Sequence, residues 1–129
     1  MNTELYYNND HSAVAVLVSH HYGAGWSSWA GESLAYDARV VRFWLDHKDD
    51  KEWMHDVTLT EHANSPESAA HKEAREFFQS IGYEYCPYMG GFPTIELEWV
   101  PLGKQWRIEE RDGAERLVFP ETYDYEVFS

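Results

Sequence analysis

Two places in this 129-residue chain carry residue types that could do chemistry. The first is the run Tyr22-Gly23-Ala24-Gly25-Trp26. Its glycines admit positive φ and let another backbone or a ligand come close, while Tyr22, Trp26 and the nearby Trp29 offer flat faces beside that opening. The second is QWRIEER at 105–111, where strand alternation sets Gln105, Arg107, Glu109 and Arg111 on one face and Trp106 and Ile108 on the other. Arg107 and Arg111 then point the same way, and a pair of guanidinium forks matches a pyrophosphate or a carboxylate. Each place also has a plain structural reading. The first could be a tight turn whose aromatics fill the core, and the arginines could be neutralised across a sheet by Glu96, Glu98, Glu109 and Glu115.

Catalytic patterns are scarce. Ser19, Ser27 and Ser28 lack a GxSxG elbow, and Gly23-Ala24-Gly25 is neither a GxGxxG fingerprint nor followed by a P-loop lysine. His20 and His21 are neighbours at a strand end and point to opposite faces, which argues against a shared metal. His11, His47, His55, His62 and His71 have no HExxH-type spacing, and Cys86 has no CxxC neighbour and reads as a packed thiol. The expectation is binding without turnover, with no catalytic residue, metal or cofactor.

Charge and composition restrict the partners. Ten Lys and Arg stand against 23 Asp and Glu, a formal net charge of -13. Such a chain repels nucleic acid and anionic membrane unless its few arginines gather locally. Aromatic residues make up 16% of the chain, enough to serve stacking surfaces as well as a core. The length suits one domain over 1–129 without disulfides or metal. No apolar run approaches the roughly 20 residues that span a bilayer. The single Cys86 and the lack of a basic-then-apolar opening lead to the expectation of a reducing cytoplasm.

Those two places need elements to hold them. The apolar run at 13–18, AVAVLV, is too continuous for a strand with one wet face and reads as a buried strand near the middle of a sheet. Residues 1–12 read as a polar lead-in, flexible or partly ordered. Val40, Val41, Trp44 and Leu45 recur at helical spacing over 37–47, with Asp37 as the cap. Lys51 to Thr60 stays open between a short strand and an irregular segment. A second helix is predicted over 66–80, with Asn64 as cap, Glu67 as capping-box partner, and Ala70, Ala74, Phe77, Phe78 and Ile81 facing a core up to Gly82. Ile95, Leu97 and Trp99 alternate with Thr94, Glu96 and Glu98 as a strand, and Asp112-Gly113 joins 105–111 to 115–119 as a hairpin. The result is an α+β domain, its sheet mainly antiparallel, with two helices packed on one face. Exposed aromatics around Trp26, Tyr88 and the 123–128 tail would be costly on a monomer and predict a homo-oligomer.

The junction VLVSHHYGAGWSSW and the distal YMGGFPTIELEWVPLGKQWRIEERDGAE together resemble small phage proteins of the first Thoeris anti-defence type. The shared features are a YGAGWS motif near the N-terminus and a WVP-turn-arginine-DG hairpin near the C-terminus. The resemblance implies a sponge in the host cytoplasm that binds cyclic ADP-ribose variants made by immune TIR enzymes and withholds them without cleavage. It also implies a homo-oligomer with pockets at protomer boundaries. Together with the residue reading it makes Tyr22, Gly23, Ala24, Gly25, Trp26, Arg107, Glu109 and Arg111 the ligand-binding candidates, with an adenine stacked on an aromatic ring and the pyrophosphate met by Arg107 or Arg111 and the N–H groups around Gly23 to Gly25. The rival expectation is an acidic protein that imitates DNA, or otherwise inhibits a host defence enzyme by surface charge.

Overall fold

All seven residues of β1 (Ala13–Ser19) are buried, as an unbroken apolar run requires. The computed structural model describes residues 3–59 and 66–119. After β1 come α1 (Ser27–Ala30), a 3-10 turn (Glu32–Ala35), α2 (Ala38–His47), α3 (Lys51–Leu59), α4 (Ala69–Ser80) and a second 3-10 turn (Phe92–Thr94). The chain then forms β2 (Ile95–Pro101), β3 (Arg107–Arg111) and β4 (Ala114–Val118). The fold is α+β, and both strand pairs are antiparallel.

β1 is not a central strand. It pairs with β2 from Ala13↔Pro101 to Ser19↔Ile95, and on its other edge Tyr7 bridges Val14. Its burial comes from layers above and below the sheet. On one side Ala15, Leu17 and Ile95 join Val40, Val41, Phe43, Trp44, Met54, Val57, Ala74 and Phe78 in the main core. On the other, Val16, Val18 and Val100 meet Ala35, with Tyr36, Trp106, Ile108, Leu117 and Phe119 packed around them. The β3–β4 hairpin is thus a lid over the second face, a separate two-stranded sheet. Residues 3–12 lie along the first layer, with Ala38 N–H bonded to Glu4 O and Ala15 N–H to Tyr6 O.

The helical face has three helices where the sequence announces two. In α2 the Asp37 carboxylate accepts from Arg39 N–H, the predicted cap, a contact worth about 1 kcal/mol. Asp50 accepts from Trp53 N–H at 3.0 Å and starts α3 in the same manner, so the open segment is helical. For α4 the capping hydroxyl is that of Ser68, which accepts from His71 N–H. Asn64, the expected cap, lies outside the described residues. Glu67 turns outward instead of boxing the cap, bonding His71 at 2.9 Å and Arg75 at 2.9 and 3.0 Å. Those donors, Arg75 first, pull the Glu67 carboxyl down to about 2.

Helix ends are tied by a buried carboxylate. Asp37 also takes Nε and Nη2 of Arg39 at 3.0 and 2.7 Å and the Tyr83 hydroxyl at 3.2 Å, while Arg39 Nη1 reaches Ile81 O at 3.0 Å. Burial pushes the Asp37 carboxyl up, but the bonds and charge of Arg39 outweigh it and leave it below its ordinary value. The start of α2 is thereby held to the end of α4.

Candidate anion-binding site

Glu115 organises the region around the two chemically interesting segments. It is 2% exposed, and its Oε1 accepts from Ser19 N–H at 2.9 Å. Its Oε2 accepts from Trp26 N–H at 2.8 Å, from Ser28 N–H at 3.0 Å, and from the Ser28 hydroxyl. One carboxylate on β4 therefore closes the end of β1, the glycine turn and the start of α1. Burying a charge is costly without such donors, and three oriented N–H groups with a hydroxyl offset it.

Glycines let the backbones meet. Gly113, at φ +88°, presses on the Gly23-Ala24 backbone, and Gly23 N–H bonds Asp112 O. A side chain at Gly91 would lie 2.8 Å from Ala24 O and 3.0 Å from Gly25 O. The close approach that the glycine turn permits is that of two other loops of the protein. The N–H groups of Gly23 and Trp26 are spent on Asp112 and Glu115, which removes them as phosphate donors.

Trp26 differs from its sequence reading. It is fully buried, not exposed: its indole N–H bonds Leu34 O at 3.0 Å and its ring packs on Phe92 and Phe78. The reason is the Glu115 clamp on Trp26 N–H, which turns the following side chain into the main core. Trp29, Tyr22 and Tyr88 are the aromatics left exposed near the turn, with Trp29 and Tyr88 rings 5.6 Å apart. The 123–128 tail lies outside the described residues.

The outward face of the hairpin carries the charge. Pairing of Glu109 with Arg116 and of Arg111 with Ala114 puts Arg107, Glu109, Arg111 and Arg116 on one side. Beside them is an open groove of about 780 Å³, lined by His20, Tyr22, Ala114, the cations Arg111 and Arg116, and the carboxylates Glu109, Glu110 and Glu115. Arg107 is not on the groove wall; its Nη2 bonds Glu109 Oε1 at 2.8 Å. Arg116 holds the other oxygen, Oε2, through Nε and Nη2 at 3.2 and 2.9 Å. Bonds from Arg107 and then Arg116 lower the Glu109 carboxyl from its ordinary value. Arg111 has no ion pair among the described residues. Glu96 and Glu98, possible neutralisers of the arginines, instead flank His20 Nε2 at 3.5 and 3.6 Å.

The structure brings Tyr22, Glu109 and Arg111 to one groove, with Arg107 joined through Glu109. Gly23, Ala24 and Gly25 form the packed turn behind it, and Trp26 belongs to the core. Arg116 escaped the sequence reading, and Glu115, read there as a possible neutraliser of the arginines, instead latches Ser19, Trp26 and Ser28. A two-residue Asp112-Gly113 turn fixes the register, so Arg116 opposite Glu109 was available as a signal.

Comparison with protein-family models, curated proteins and solved structures finds no match to this chain. Three of the chain's six arginines share this face with one carboxylate between them. Such a surface can accept phosphate oxygens bidentately, with an exposed phenol ring beside them as a stacking face.

Proposed function

We propose that this protein binds and sequesters a phosphate-bearing cyclic nucleotide signal, of the cyclic ADP-ribose class, without cleaving it. The observation that carries the reading is the gathering of Arg107, Arg111 and Arg116 on one hairpin face of a chain with net charge -13. A strongly acidic protein repels phosphates everywhere except where its cations are concentrated. Arg111, which has no ion pair among the described residues, takes a phosphate, and Arg116 and Arg107 supply further positive potential. Tyr22, 75% exposed beside them, stacks a base. Stacking contributes about 1–3 kcal/mol per base and each charge-assisted bond about 1.5–3 kcal/mol. A few such contacts approach the 10 kcal/mol or so of a binder at tens of nanomolar.

The YGAGWS motif and DG hairpin support the same reading through their resemblance to Thoeris anti-defence proteins. On that reading the protein acts in a host cell's cytoplasm and assembles as a homo-oligomer. Incubation with a lysate containing immune nucleotide signals, washing, heat denaturation and identification of the released molecule tests it. Release of an intact cyclic nucleotide supports sequestration. Release of a cleaved one identifies an enzyme, and release of none contradicts both.

The net charge of -13 favours a second reading, an acidic inhibitor that imitates DNA on a defence enzyme. On that reading capture of a DNA-processing enzyme weakens steeply with salt and is indifferent to Arg111→Ala.

A further inference from the structure

A second hollow lies on the Trp106 side of the hairpin. Its volume is about 400 Å³, in the range of small-molecule sites, roughly 300–1,000 Å³. Val14, Val16 and Val100 form a buried apolar floor. Tyr36 and Trp106 make an aromatic corner, their rings 5.9 Å apart at 84°. Glu32 and Lys104 stand at the rim, both exposed, and neither has an ion pair among the described residues. Glu32 opens the 3-10 turn that ends at Tyr36, which sets both on the same side of the slot; burial, and then the Glu32 charge, raise the Tyr36 phenol above its ordinary value. Lys104 follows the turn that leaves β2 at Pro101, where its N–H bonds Pro101 O.

An open slot with an apolar floor and one aromatic corner, with one cation and one anion left apart on its rim, fits a ligand with the complementary arrangement. We propose that this slot is a binding site, independent of the arginine face, for a small zwitterionic aromatic molecule of the amino-acid type. The ligand's ring occupies the Tyr36–Trp106 corner over the valine floor. Its carboxylate meets Lys104 and its ammonium meets Glu32.

The probe is L-phenylalanine, titrated into the full chain while the Trp106 indole resonance is followed. Two half-charged analogues are run beside it: 3-phenylpropionate, which lacks the ammonium, and 2-phenylethylamine, which lacks the carboxylate. L-phenylalanine is expected to bind roughly tenfold more tightly than either. Lys104→Ala brings L-phenylalanine to the level of 2-phenylethylamine and leaves that amine's binding unchanged. Glu32→Gln does the converse with 3-phenylpropionate. Both residues are exposed, so neither variant disturbs the core. Equal binding of all three probes overturns the proposal, because the slot is then merely apolar. So does an unmoved Trp106 signal up to about 10 mM, beyond the weak end of specific affinities. Binding that emerges only after removal of residues 120–129 also overturns it, since the chain's own end is then the occupant.

Discussion

The buried Glu115 carboxylate is met by backbone dipoles and a hydroxyl, with no cation partner among the described residues: Ser19, Trp26 and Ser28 N–H groups and the Ser28 hydroxyl converge on it. Replacing it by Ala strands those donors. Glu115→Ala is expected to cost about 3–5 kcal/mol in denaturant unfolding, from lost charge-assisted bonds and unmet N–H groups. A loss under about 1 kcal/mol would mean that water replaces the carboxylate. Glu109 gives a test in which the sign decides. Were it only a neutralising charge, Glu109→Gln would tighten anion binding, by removing repulsion. Its two oxygens instead hold Arg107 and Arg116 separately, so the substitution is expected to weaken nucleotide binding by roughly 0.5–1.5 kcal/mol. Calorimetric titration that shows tighter binding contradicts this positioning role.

At the scale of elements, the hairpin and the glycine turn are one packed unit. Gly23 has φ +83° but open space where a side chain would go, whereas Gly113 combines φ +88° with contact against the Gly23-Ala24 backbone. Gly23→Ala should therefore cost only the left-handed penalty of about 1–2 kcal/mol. Gly113→Ala adds displacement of the turn, and its melting temperature should fall clearly further; equal losses would show that the loops do not press together. The helical side responds to acid. The Glu67 carboxyl is lowered from 4.5 to about 2, so its contribution to stability is full above about pH 4.5 and is lost as pH falls towards 2. Asp37 is lowered too, and acts in the same direction. Acid unfolding followed by circular dichroism should shift to higher pH in Glu67→Gln, and an unchanged midpoint would discount the Arg75 and His71 bonds.

The same elements explain how much the sequence disclosed. Helix α2 with its Asp37 cap, the core side of α4 and the Asp112-Gly113 hairpin rest on local rules of capping, period and turn type, and they were legible. Helix α3 was not, because KEWMHDVTL has few apolar residues to set a period and its capping Asp50 follows the end of α2 so closely that no turn signal separates the two helices. The position of Trp26 was also hidden. Its burial depends on Glu115, 89 residues away, and a Glu beside Arg116 in a hairpin reads as solvated until the register turns it inward.

For the whole molecule, the charge is divided: an acidic body with a cationic hairpin face. Tyr22 beside that face, and the paired rings of Trp29 and Tyr88, are 75%, 47% and 40% exposed, an unusual aromatic load for a monomer's surface. Light scattering is expected to return a multiple of the 15.1 kDa chain mass; a monomer at tens of micromolar, where an obligate interface persists, contradicts assembly. No helix among the described residues is long and apolar enough to cross a membrane.

Calorimetric titration of the wild-type protein and Arg111→Ala with cyclic ADP-ribose variants and cyclic dinucleotides bears most directly on the central claim. The account predicts saturable binding of at least one of them by the wild type. Arg111→Ala should bind it about 1.5–3 kcal/mol more weakly with an unchanged unfolding midpoint, the scale of one charge-assisted contact. Absence of heat and of thermal shift for every one of these nucleotides, or equal affinity in Arg111→Ala, contradicts it.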